Sequence, residues 1–315
     1  MRAMRVHTLG KPMTLDDVPT PLPGPGEVLV RVHACGVNFG DTLMVKGEYQ
    51  EKPPLPFSPG MEICGTVEGG EGFAPGTRIA SYAGNGGFAE HAVIPADRCV
   101  VVPDAMTNTE AAAFLVAYGT SHVALEHKAV LRPRETLLVL GAAGGVGLTA
   151  VELGKLIGAT VIACARGPKK LEIARRAGAD YLIDSDLGDL RGQVKALGGA
   201  DVVYDPVGGD LFTEALRATK PMGRILPLGF ASGSVPQIPA NIILVKNISV
   251  IGFYWGAYAS LQPHVLMDSF ATLFRWYESG RLSPHVSHEV PLADANRALD
   301  LLRDRTATGK VVVCM

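Results

Sequence analysis

The apolar positions of this chain change rhythm near Ala111. Before that point, Glu27–His33 (EVLVRVH) alternates apolar and polar side chains, the period-two pattern of a strand with one buried face. Ile63–Val67 and Phe88–Val93 are further strand candidates. Turns are marked at Pro23-Gly-Pro-Gly, Ala74-Pro-Gly and Gly84-Asn-Gly-Gly. Short strands this closely spaced predict a β-rich, barrel-like module. After that point, a helical run, Glu110–Lys128, leads into the continuous apolar strand Thr136–Leu140 (TLLVL). Strands at Thr160–Cys164, Tyr181–Ile183, Val202–Asp205, Arg224–Leu228 and Ile248–Gly252 then alternate with helices at Pro168–Ala177, Leu187–Leu197 and Leu211–Ala218. Unbroken apolar strands separated by amphipathic helices predict a parallel sheet covered on both faces. Pro168 and Gly178 bracket one of these helices in their usual places. The tail carries amphipathic helices at Leu261–Ser279 and Ala293–Arg303 and a last strand, Lys310–Cys314. That strand has no parallel series of its own, so it is expected to return to the first module, making the α/β region an insertion. The expected division is 1–117, 118–254 and 255–315.

Composition narrows the function classes. With 315 residues, 47% hydrophobic and 19% charged, the chain supports packed cores rather than disorder. The 29 basic residues against 31 acidic ones, without a long basic run, offer no bulk attraction to nucleic acid or to an anionic membrane. The opening Met1-Arg-Ala-Met-Arg-Val-His lacks a signal-peptide core, and Leu137–Val151 is too short and Gly-rich to span a bilayer. A cytoplasmic protein is expected. The five cysteines, at 35, 64, 99, 164 and 314, include no CxxC, which argues against a disulfide framework or a cysteine zinc lobe.

The sharpest chemical signal is Gly141-Ala-Ala-Gly-Gly-Val-Gly147, which follows a predicted strand and opens a predicted helix. Residues without Cβ let the backbone approach a pyrophosphate. The helix N-terminus offers free N–H donors and a positive dipole end. Ala143, Gly144, Gly145, Val146 and Gly147 are therefore candidate dinucleotide-binding residues. An NAD site would place an acid at the end of the second strand. The stretch Ala163-Cys-Ala-Arg-Gly-Pro-Lys-Lys170 has none, and Arg166 and Lys170 are suited to a 2′-phosphate. The cofactor expected is NADP(H).

These residues resemble the medium-chain dehydrogenase/reductase superfamily, in its zinc-independent quinone oxidoreductase (zeta-crystallin-like) branch. The resemblance spans nearly the whole chain. It is carried by Gly36-Val-Asn-Phe-Gly-Asp41, Gly60-Met-Glu-Ile-Cys-Gly-Thr-Val67, the glycine turn, Tyr204-Asp-Pro-Val-Gly-Gly209 and Gly309-Lys-Val-Val-Val. It implies an α/β fold: a Rossmann doubly wound parallel sheet inserted in a β-rich GroES-like catalytic domain. Zinc members of the superfamily carry Cys where this chain has Asn38 and His where it has Met61, and Glu62 alone cannot hold a tetrahedral metal. No metal site is expected. His285, His288 and Glu289 do not supply one, because on an extended segment the two histidines face opposite ways. Without a Lewis acid for alcohol oxidation, reduction of an activated acceptor is the natural chemistry.

The resemblance also implies site residues. Asn38 and Tyr49 map beside the nicotinamide, where an amide and a phenol can orient the ring and hydrogen-bond a developing enolate or hydroquinone oxygen. Asp41 is expected to stabilise its loop. Thr120, Val207, Gly229-Phe230, Phe253 and Trp255 join the candidate cofactor contacts, several at carboxyl strand ends where open sheets bind ligands. The aromatics could equally serve packing. Many relatives have Asn-Tyr after the third strand, whereas this chain has Asp184-Ser185, leaving Arg166 and Lys170 to select NADP(H). The expected reaction is hydride transfer from NADPH to a small molecule, a quinone or enone, with solvent or Tyr49 supplying a proton. Two alternatives stand beside it: a 2-alkenal or enoyl-thioester reductase, and a non-catalytic NADP(H)-binding structural or regulatory protein. The apolar segment Asn241–Gly252, read as the edge of the sheet, implies a homodimer.

Overall fold

The computed structural model describes residues 1–315 and divides into two compact units, Met1–Val116 with Ser283–Met315, and Ala117–Leu282. No helix is long and apolar enough to cross a membrane.

The first unit is built on a seven-stranded sheet in the order Val286–Pro291, Lys310–Cys314, Glu27–Val37, Glu62–Gly70, Arg78–Ser81, Cys99–Val101, with His91–Pro95 also paired to Glu27–Val37. The long strand alternates buried and more open residues up to His33 and is then buried from Ala34 to Val37. The alternation predicted only as far as His33 therefore misses its last turn into the core. There Lys310–Cys314 pairs antiparallel with it, setting Val311 opposite Val37 and Cys314 opposite Ala34. Glu62 faces Gly36 on the other edge. Val30, Ile63, Ile94 and Val313 anchor the core between these strands.

The second unit holds six parallel strands, in the order 3-2-1-4-5-6 when counted along the chain from Thr136–Leu140. This is the doubly wound order in which dinucleotides bind outside the carboxyl strand ends. Leu138, Ile162 and Val203 are fully buried in the sheet, and Phe212 closes one face from the helix Gly209–Ala218. Gly178, with φ of 106°, ends the helix Gly167–Arg176 by donating to Arg175 O, a conformation that costs an L side chain energy.

Three expectations are corrected. The single helix predicted over Glu110–Lys128 is broken at Ala113, giving Asn108–Ala112 and Leu115–His122, and continues as a π-helical stretch, Val123–Lys128. Asn241–Lys246 is helix, not edge strand. Pro239 precedes its first turn and Asn247, left-handed, ends it, so the sheet edge shrinks to Ser249–Val250. A short apolar run does not distinguish the two by periodicity, and the flanking breakers decide. Finally, residues 255–282 cluster with the second unit rather than with the return segment. The helix Pro263–Glu278 buries Leu266, Phe270 and Leu273, and Ser269 Oγ lies 2.9 Å from His122 Nδ1, so its apolar face is already partnered within that unit.

Candidate active site

In the second unit, the strand Thr136–Leu140 runs into Gly141, whose φ of 60° turns the chain into the helix Gly145–Ile157. A Cβ on Gly141 would lie 3.0 Å from Val207 Cγ2. A Cβ on Gly147 would lie 2.2 Å from the Gly141 carbonyl oxygen, so the first helical turn rests directly on the turn before it. Gly144 caps the helix without any side-chain hydrogen bond, which leaves the first N–H groups available to an anion. Beneath this turn, Ser121 Oγ meets Val146 O at 2.9 Å, Thr149 Oγ1 at 2.8 Å and Tyr204 OH at 2.8 Å. This buried hydroxyl cluster ties the Gly145–Ile157 helix to the Leu115–His122 helix and to the central strand Ala200–Asp205. Half-buried Thr120 is carried beside it.

At the carboxyl end of that central strand, Asp205 Oδ1 accepts the N–H groups of Val207 and Gly208 at 2.7 and 2.9 Å. Its Oδ2 is buried without a hydrogen-bond partner, and burial raises the carboxyl to about 6. A Cβ on Gly208 would lie 3.0 Å from Phe230 Cδ1, and one on Gly229 would lie 3.4 Å from Pro206 O. Val207, Gly229 and Phe230 thus gather with Gly141 at the carboxyl ends of the inner strands. Phe253 is half-buried against Tyr258, with ring centroids 5.7 Å apart. Trp255 is buried, and its Cζ2 would lie 3.0 Å from a Cβ on Gly119, where Phe270 also packs. Its place in the fold is that of a packing residue of this unit.

The end of the second strand carries Arg166, exposed, as the residue before the helix Gly167–Arg176, with half-buried Lys170 in that helix. Asp184 Oδ1 accepts the Gly167 N–H at 3.0 Å and steadies the turn that bears Arg166. Hydrogen bonds from Gly167 and Asp186 hold the Asp184 carboxyl below its ordinary value.

In the first unit, Asn38 precedes the helix Phe39–Lys46 at the end of the long strand. Asp41 is fully buried and accepts the N–H of Asn38 at 2.8 Å and of Gly60 at 2.9 Å, which is the loop-stabilising role expected of it. Burial pushes its carboxyl up to about 7 against those bonds. A Cβ on Gly40 would meet Met61 Cε at 2.6 Å and Tyr49 Cε2 at 3.1 Å, so Met61 and half-buried Tyr49 converge on the space a side chain there would fill.

The Asn38 side chain belongs to a network that sequence reading missed. Lys310 Nζ donates to Glu62 Oε1 at 2.6 Å, to Asn38 Oδ1 at 2.7 Å and to Val37 O at 3.0 Å. Asn38 Nδ2 donates to Glu62 Oε1 at 3.0 Å and to Gly36 O at 3.3 Å, and Glu62 Oε2 accepts the Val116 N–H at 2.9 Å. The Lys310 and Glu62 side chains are only 7% and 1% exposed. A buried pair this well bonded is expensive to break singly, about 3–5 kcal/mol when one partner is removed. The Gly309-Lys motif carried the resemblance, but no local signal tied Lys310 to Asn38. No group of three or more His, Cys, Asp or Glu could hold a metal. His285 and His288 turn to separate partners, Thr308 and Ser287.

Comparison with known proteins agrees with this layout. Residues 24–104 match the alcohol dehydrogenase GroES-like domain family, and residues 145–272 match the zinc-binding dehydrogenase family. The chain is 42% identical to a quinone oxidoreductase-like protein 2 homolog of Nematostella vectensis, over 99% of this chain and 88% of that one. A crystal structure of the Thermus thermophilus quinone oxidoreductase, studied also in complex with NADPH, is 34% identical and superposes over 100% of both chains with a TM-score of 0.90. The Escherichia coli quinone oxidoreductase, solved in complex with NADPH, is 28% identical and superposes over 100% of both chains with a TM-score of 0.93.

Proposed function

This chain belongs to the quinone oxidoreductase branch of the medium-chain dehydrogenase/reductase superfamily, and on that premise we propose that it reduces a quinone or similar electron-poor acceptor with NADPH and without zinc. It is an NADPH-dependent oxidoreductase. The observation that carries the zinc-free reading is the place of Lys310. Its ammonium is held by Asn38 and Glu62, around the two positions, 38 and 61, where zinc relatives carry Cys and His. A cation already satisfies the acceptors there, and Met61 offers only a thioether.

The residues present fit NADPH. The uncapped helix start and the side-chain-free Gly144 suit a pyrophosphate, and the second strand ends in Arg166 rather than an acid. When bound, NADPH supplies the hydride. Gly145 and Val146 would present N–H donors to its phosphates, with Ala143, Gly144, whose own N–H is given to Gly141 O, and Gly147 shaping the turn. Arg166 and Lys170 would pair with the 2′-phosphate. Thr120, Val207, Gly229, Phe230 and Phe253 would line the cofactor path, and Trp255 would back it through Gly119. Asn38 would orient the nicotinamide, and Tyr49 or solvent would give the proton to the reduced acceptor.

The test is NADPH oxidation against quinones, 2-alkenals and enoyl-CoAs, run with and without exhaustive chelation. Turnover highest with quinones and insensitive to chelation is the expected result. Stoichiometric zinc whose removal abolishes turnover would reverse the zinc-free reading. We also propose a homodimer, because Leu244 and Val245 on the Ala240–Lys246 helix are each 75% exposed beside the sheet edge. Light scattering at micromolar concentration should give the mass of two chains. A monodisperse monomer contradicts it.

A further inference from the structure

Lys310 and Asn38 are 272 residues apart in sequence, and the fold brings them together by register. The last strand sets Val311 opposite Val37, which leaves Lys310 at the next step, beside Asn38. The neighbouring strand sets Glu62 opposite Gly36, one strand over at the same height. Three strand ends therefore deliver one ammonium, one carboxylate and one amide to a single buried point.

The hydrogen bonds at that point are nearly exhausted. An ammonium has three donors, and Lys310 spends them on Val37 O, Asn38 Oδ1 and Glu62 Oε1. A primary amide has two donors, and Asn38 spends them on Gly36 O and Glu62 Oε1. Turning the amide over would set its NH2 against the ammonium and its oxygen against the carboxylate. In a buried site each of those contacts is repulsive at short range. Both N–H donors of Asn38 are thus spent, and only Oδ1, which takes the Lys310 ammonium and faces the N–H of the first helical turn, can still accept. We propose that Lys310 and Glu62 are positioning residues for Asn38, locking its amide so that it meets the reacting partners only as a hydrogen-bond acceptor. This rests on the reading of Asn38 given above. It also changes that side chain's task. Asn38 can fix a group that carries an N–H or O–H, such as a carboxamide, but it cannot donate to a developing oxyanion. Tyr49 or solvent must meet that charge instead.

The test uses Lys310→Met and the double variant Lys310→Met/Glu62→Gln. The double variant removes the unpaired buried carboxylate that the single variant creates. Both should show kcat lowered about 30-fold or more, as misplacement of an orienting group does, with the KM for NADPH within about threefold of the parent. The double variant should recover thermal stability relative to Lys310→Met and yet stay slow. In the full chain without cofactor, the Asn38 side-chain amide protons should exchange slowly with solvent by 15N NMR and become fast in the double variant. If Lys310→Met does not fold, the double variant supplies both readouts. Turnover that returns with stability, or Asn38 protons that exchange alike in parent and variant, would reduce the pair to a packing contact and overturn the proposal. A parent chain that oxidises no NADPH with any acceptor counts against the functional reading instead, and the NMR comparison still decides this one.

Discussion

The turn at Gly141–Gly147 and the cluster around Asn38 are built from different materials. The turn is main chain: seven consecutive residues, no side-chain cap, and N–H groups aimed outward because the first helical turn has no partners for them. The cluster is side chain: Asn38, Glu62 and Lys310 come from three strands, and nearly every donor is already taken. A turn of the first kind excludes added atoms where its backbone rests on itself, as at Gly147, but little depends on which chain segment lies far away. A cluster of the second kind depends on register across the whole sheet, and a change in any one member leaves a buried charge or amide without its partner.

The sharpest way to break this contrast is at the turn. Gly147→Ala puts a methyl 2.2 Å from a backbone carbonyl that cannot move aside cheaply, whereas Gly144→Ala meets its nearest atom at 3.4 Å. Gly147→Ala should abolish measurable NADPH binding and lower the thermal midpoint. Gly144→Ala should keep the midpoint and weaken NADPH only through the crowded phosphate contact, by about tenfold. Titration calorimetry with thermal unfolding checks both, and equal behaviour of the two variants would show that the turn is not a rigid main-chain cradle.

Next in size is the cofactor selection proposed for the side chains that follow the second strand of the same unit. Replacing Arg166 and Lys170 together by Ala should weaken NADPH by about 2–4 kcal/mol and leave NADH nearly untouched, on the scale of charge-assisted hydrogen bonds. Equal losses for both cofactors would place the 2′-phosphate elsewhere. Tyr49→Phe tests the other unit. If water can protonate the reduced quinone, the loss of maximal rate should be about tenfold or less, and larger for enones, which need a proton at carbon. Steady-state rates with one acceptor of each class decide it.

The smallest effect concerns pH. Burial raises the Asp41 carboxyl from 3.8 to about 7 and the Asp205 carboxyl from 3.8 to about 6. The folded state then holds protons that the unfolded state has already lost, so stability is greatest at low pH within this window and falls as pH rises through the two folded values. The thermal midpoint should drop by several degrees between about pH 5 and about pH 8. A midpoint that rises over that range would show that hydrogen bonds from Asn38, Gly60, Val207 and Gly208 outweigh burial in these two carboxyls.

Local pattern alone determined a good deal of this protein. The unbroken apolar strands and the glycine turn between strand and helix announced the doubly wound sheet and the nucleotide end. Arg166, standing where an acid would, pointed to NADP(H), the cofactor found in complex with two structures to which this chain is similar. Those signals are local, because a strand's two buried faces, a turn's missing Cβ atoms and a strand's final residue are all written within a few positions. Tertiary structure alone decided the rest. It ended the 240s segment as a helix, where a short apolar run is ambiguous until its flanking breakers are placed in space. It gave Trp255 and the Pro263–Glu278 helix to the nucleotide unit, because an amphipathic face records that it needs a partner but not which one. And it set Lys310 against Asn38 and Glu62, since a hydrogen bond between residues 272 positions apart depends on strand register, which no window of sequence contains.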